Sequence, residues 1–204
     1  MENIVAIISL LFCISSPIFL IVAIYLGVTL FNQKKSHEAK VHALGRRINI
    51  LSKDALSGLR LKWFDEIIVA SYRNEVEVEI KFIYPFMRFL GYDVGDLKTR
   101  VSVNVPVGRQ KVTGIADWVV FKNQLENPFL IIEAKEQNQK LNGAVQEQAR
   151  SYAYALNIPF YMLTNGKEIF VFERKVDNDV CLFSLTVNNL PAQWQAIEQV
   201  LGKR

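Results

Sequence analysis

Two cysteines and two histidines are all that 204 residues offer in soft metal ligands. Cys13 lies in an apolar run and Cys181 in a strand-like segment, and neither has a Cys or His neighbour at zinc-ligand spacing. No disulfide and no zinc site is expected, which suits a reducing compartment. His37 and His42 stand among Lys and Glu on a predicted solvated helix and read as surface residues. There is no G-x-x-x-x-G-K-S/T stretch, so neither ATP as a partner nor an ATP-driven motor is expected. Repeats and low-complexity tracts are absent too. The net charge of +4 is permissive of nucleic acid but does not announce it.

Charge is scarcest at the start of the chain. Glu2 is the only charged side chain before Lys34, and Ile4 to Phe31 is an uncharged run of 28 residues. As a helix it would span roughly 42 Å against about 30 Å of hydrocarbon. The opening "MEN" lacks the basic residues of a secretory signal, so residues 1–33 are expected to be a transmembrane anchor in the lipid bilayer. Lys34, Lys35, Lys40, Arg46 and Arg47 follow the run, which predicts a single-pass inner-membrane protein with its C-terminal part in the cytoplasm. Residues 34–73 carry Val41, Leu44, Ile48, Leu51 and Ala55 on one helical stripe, a connector or an early helix of the domain. Its two heptads fall short of a coiled coil, though the stripe could serve a homo-oligomer.

Residues 74–204 alternate element types. "EVEVEIKFIYPFMRFL" reads as a helix with an internal Pro85, stopped by Gly91. Val101–Val107, Val112–Phe121 and Pro128–Lys135 read as three antiparallel strands. Then come a helix in "NGAVQEQARSYAYAL", strands in "IPFYMLTN", "GKEIFVFER" and "VCLFSLTV", and a last amphipathic helix, "LPAQWQAIEQVL". The pattern predicts an α/β domain with a mixed central sheet flanked by helices.

The pattern acid-x-Lys occurs five times, at residues 38–40, 79–81, 96–98, 133–135 and 173–175, so alone it says little. Only Glu133-Ala134-Lys135 ends a long apolar strand, and only it follows a strand with one acid in neutral surroundings, Asp117 in "VTGIADWVVF". A hairpin loop centred near Leu125 would set Asp117 opposite Glu133, with Cβ atoms about 5 Å apart. Lys135 shares that face by the period of two. Facing carboxylates repel unless they share a proton or a divalent cation, and a lysine beside them completes a site suited to phosphodiester hydrolysis. A surface hairpin with an ordinary cross-strand ion pair is the alternative.

These stretches, with "NEVEVEIKFIYPFMRFLGYD" and "QEQARSYAYALNIPFYMLTNGKEIFVFE", resemble the PD-(D/E)xK nuclease superfamily, and more narrowly the N-terminal nuclease domain of type I restriction enzyme R subunits. The resemblance runs from about Asn74 to Glu173. It implies a restriction-endonuclease-like fold, DNA as substrate and Mg²⁺ or Mn²⁺ as cofactor. Asp117, Glu133 and Lys135 would be the catalytic set, with Asp117, Glu133 and Glu75 as metal ligands. Glu77 or Glu79 could replace Glu75. Gln148 and Tyr152 match a Gln-xxx-Tyr motif that positions the DNA backbone or the active-site strand. Ala116 stands where the motif's proline would be, and Val78 where relatives often have Thr. By association, such a protein would restrict incoming phage or plasmid DNA. The competing class is a non-catalytic module that tethers nucleic acid or a partner at the membrane.

Overall fold

Gly108, at φ 60°, takes the first position of a two-residue turn at a φ that most side chain-bearing residues avoid, and the turn folds two long strands onto each other. They are β1, Leu97–Val107, and β2, Gln110–Phe121. β1 begins four residues before the expected Val101, because Lys98, Thr99 and Arg100 separate the apolar Leu97 from the alternation that starts at Val101. The computed structural model describes residues 54–123 and 126–203, and residues from Leu56 onward form one compact unit. The expected anchor and most of the stripe after it lie outside the described residues. Among the described residues no helix is long and apolar enough to cross a membrane.

A second hairpin leads to β3, Pro128–Ala134. Trp118 faces Ile132 and Val120 faces Leu130, the expected register, but the paired stretch ends at Trp118 and Ile132 and does not extend to the expected pairing of Asp117 opposite Glu133. A crossover through a helix, Gly143–Ala155, lays β4, Phe160–Thr164, parallel to β3. β5, Glu168–Glu173, and β6, Val180–Thr186, continue antiparallel, giving a mixed sheet in the order β1-β2-β3-β4-β5-β6.

Among the described residues, four helices cover the sheet. α1 occupies 54–69, so this part of the stretch read as a connector supplies Trp63, Phe64 and Ile67 to the core. α2 runs from Glu75 to Phe89, α3 is Gly143–Ala155, and α4 is Leu190–Leu201. Val78, Phe82 and Phe86 of α2 and Leu190, Trp194 and Ile197 of α4 pack with α1 against Trp118, Val120, Ile132 and Met162. The other face carries Val119, Ile131, Tyr161 and Leu163 under Val145, Ala149, Tyr152 and Ala153 of α3. Each fully buried apolar side chain stabilises the fold by about 1.5–3 kcal/mol, so both faces need a cover.

α2 is not uniform. Asn74 caps it by accepting the N–H of Glu77 at 3.0 Å, Glu75–Val78 is α-helical, Glu79–Ile83 is a π-helical turn, and Tyr84–Phe89 is α-helical again. Pro85 has no N–H for the Lys81 carbonyl four residues back, and the Trp63 indole N–H donates to that carbonyl at 3.3 Å. Gly91, at φ 93°, ends the helix, with its N–H on Arg88 and that of Tyr92 on Met87, the bonds of a Schellman cap.

Candidate active site

Glu75 and Glu79 are four residues apart on α2, so they share one side of the helix. An oxygen of each lies within 4.8 Å of the other and of an Asp117 oxygen. Glu77 points elsewhere, into ion pairs with Arg73 and, at 3.1 Å, Lys81. The three glutamates read as alternatives in the sequence are thus two that converge and one that does not. Burial and then the Asp117 charge push the Glu75 carboxyl above the ordinary carboxylate range. Burial raises Glu79 too, against the lowering pull of Arg100.

Asp117 sits where β2 changes phase. Ala116 packs into the core beneath α3, whereas Trp118, two residues on, packs into the core beneath α1, α2 and α4. Strict alternation would put both on one face. Opposite the irregularity, Arg100 interrupts β1 at φ 55°, a left-handed backbone uncommon outside glycine, with Thr99 paired to Trp118 and Val101 to Ala116 on either side. The Arg100 guanidinium donates to Glu79 at 3.0 Å and lies 3.6 Å from Asp117 and 3.9 Å from Glu75. Sequence reasoning missed Arg100 because it began β1 one residue later. The signal was available, since extending the hairpin about Gly108 and Arg109 sets residue 100 opposite residue 117.

Glu133 is 1% exposed at the end of β3, and its Oε1 accepts from the Lys135 ammonium at 2.5 Å. Its second oxygen, Oε2, is buried without a hydrogen-bond partner. Burial first, and the Asp117 charge second, raise its carboxyl to about 7, despite Lys135. Burial alone would lower the Lys135 ammonium, but the Glu133 bond and the surrounding acids outweigh it and the shift is upward. Lys135 therefore stays a cation. The expected ligand set of Asp117, Glu133 and Glu75 is only partly what the side chains gather: Glu79 joins Glu75 and Asp117, while Glu133 is turned to Lys135.

Gln148 and Tyr152 share one face of α3, and the Gln148 amide donates to the Tyr152 hydroxyl at 3.3 Å. Tyr152 is buried over Gly114 of β2, where a Cβ would stand 2.5 Å from its ring. The pair thus braces β2 three residues before Asp117. A separate cleft of about 490 Å³, lined among others by Arg150, Arg174 and Lys175, contains none of the site acids. Arg150 is paired with Glu147 and Asp179 and Lys175 with Glu173, while Arg174 donates to the Ile158 carbonyl and the Asn157 side chain.

A family model described as "Type I restriction enzyme R protein N terminus (HSDR_N)" matches residues 74–190, which include every residue of this site. The chain belongs to that family. A solved structure described as a fragment of an HsdR subunit of a type I restriction enzyme from Vibrio vulnificus YJ016 is similar at 20% identity and a TM-score of 0.43. The similarity covers 61% of this chain and 26% of that one, so this HSDR_N chain corresponds to about a quarter of that chain's length. Comparison with curated proteins finds no match. The mixed sheet flanked by helices is the architecture expected from the sequence of this HSDR_N domain.

Proposed function

We propose that this HSDR_N domain hydrolyses DNA phosphodiester bonds with a divalent cation, Mg²⁺ or Mn²⁺. The observation that carries the reading is the buried, unpartnered Glu133 Oε2, on the residue whose other oxygen holds Lys135 and whose carboxyl feels the charges of Asp117 and Glu75. A buried carboxylate oxygen without a donor is costly unless something positive meets it. The donor set is all oxygen, which fits a hard divalent cation. Glu75, Glu79 and Asp117 would hold it, with Glu133 contributing its free oxygen. When bound, the cation would supply charge neutralisation and Lewis-acid polarisation at the phosphate.

The chain's own residues do the rest. Lys135, kept protonated by Glu133 and only 13% exposed at its side chain, offers a fixed ammonium to the negative charge that grows on the phosphate. Glu133 holds that ammonium in place. Gln148 and Tyr152 keep β2, and hence Asp117, in position from the α3 side.

For the chain as a whole, the uncharged run at 4–31 and the basic residues after it support anchoring in the inner membrane with the domain in the cytoplasm. There it would meet incoming foreign DNA. A reporter fused after Arg204 should be active in the cytoplasm, and activity only outside it would refute this placement.

The decisive experiment incubates the purified full chain with plasmid DNA in Mg²⁺, in Mn²⁺ and in EDTA. Cleavage should require metal and vanish in Glu133→Gln. DNA retention without cleavage under every condition would replace the nuclease by the tethering module.

A further inference from the structure

Three carboxylates within 4.8 Å repel one another, and in the metal-free protein something must offset that repulsion. Lys135 offsets part of it at Glu75, but the cation that meets all three is Arg100, with Nη2 3.0 Å from Glu79 and Nη1 3.6 Å from Asp117 and 3.9 Å from Glu75. Guanidinium is a permanent cation, so no proton loss can remove it from the cluster. Two features mark the residue as more than a passing surface ion pair. Its backbone is held at φ 55° inside a strand, where a residue other than glycine is rarely found, and strain of this kind persists only where the surroundings enforce it. Its side chain is also 53% exposed, so the guanidinium has an open way out.

We propose that Arg100 is a tethered counter-ion that competes with the divalent cation for Glu75, Glu79 and Asp117. The inference rests on the metal-dependent reading above and adds a regulatory residue to that site. The guanidinium faces Oε1 of Glu75, Oε1 of Glu79 and Oδ1 of Asp117, so a cation drawn to those oxygens meets it there. Metal binding then includes the cost of displacing Arg100. At low metal the side chain holds the cluster together, and at higher metal it swings toward solvent. The free guanidinium is then left at the rim of the site, where an approaching phosphate anion would meet it.

Isothermal titration of Mn²⁺ into the full chain, its Arg100→Gln variant and its Arg100→Asn variant tests this, together with melting curves in EDTA. Both substitutions remove the charge. Gln keeps the backbone strained, whereas Asn accepts the left-handed conformation and protects the test against misfolding. Both variants should bind Mn²⁺ more tightly, on the order of tenfold, and Arg100→Gln should melt lower than the parent without metal. Parent binding with equal or weaker affinity in both variants overturns the inference and leaves the nuclease reading standing. Tightening in Arg100→Asn alone also overturns it, because backbone strain rather than charge would be the cause. No Mn²⁺ binding in any of the three proteins defeats the inference and the metal site together.

Discussion

The carboxylate of Asp117 accepts the backbone N–H of Ala134 at 2.9 Å, so the acid at the centre of the cluster also ties β2 to β3. Repulsion among the acids would by itself make Asp117→Ala stabilising. The buried Ala134 N–H, left without an acceptor, reverses the sign. Asp117→Ala should lose about 1–3 kcal/mol, while Asp117→Asn, which retains a carbonyl acceptor, should stay close to the parent. Both should lose cleavage. Urea denaturation of the two variants separates the structural from the chemical role, and equal stability in both would count against it.

Lys135 has a different balance. Replacing it by Met leaves Glu133, 1% exposed, without its counter-charge. Cleavage should fall about a hundredfold or more, as on losing one preorganised electrostatic donor. Stability should fall at pH 8, where Glu133 is ionised, and much less at pH 5, where it can take up a proton. A loss of stability equal at both pH values would show that packing, not charge, is what Lys135 contributes.

The raised carboxyl of Glu133 has a signed consequence for the metal-free protein. Its folded pKa of about 7 lies above its ordinary 4.5, so the folded state keeps a proton that the unfolded chain releases. The contribution is fully present below about pH 4.5 and is lost as the pH climbs to about 7. Scanning calorimetry in EDTA should therefore find the parent losing stability across that window relative to Glu133→Gln. A parent that gains on the variant with rising pH would contradict the assignment.

Gly114 and Tyr152 make a testable pair. A Cβ on Gly114 would come within 2.6 Å of the Tyr152 hydroxyl, so Gly114→Ala must push the ring away and loosen its 3.3 Å bond with Gln148. The expected cost is about 1–3 kcal/mol, as for other overpacked sites. Removing the ring as well, in Gly114→Ala with Tyr152→Ala, should show strong coupling in a double-mutant cycle. Additive effects would mean that the two do not touch.

What the sequence determined by itself is whatever depends on neighbours along the chain. Apolar spacing marked the helices around Phe82, Ala149 and Trp194, alternation marked the strands, and Gly91 marked a helix end. The β2–β3 register was legible too, because a short hairpin ties pairing to loop length, and Trp118 does face Ile132. Even the choice between Glu75, Glu77 and Glu79 was half written in the sequence, since residues four apart share a helix face and residues two apart do not. Tertiary structure alone decided the rest. Ala116 and Trp118 enter opposite cores although alternation unites them, and Arg100 comes from β1 to face acids on α2 and β2. Glu133 turns to Lys135 rather than to the other three acids. Each of these depends on charges and backbone geometry meeting across elements distant in sequence, a balance of long-range packing and electrostatics that local periodicity does not encode.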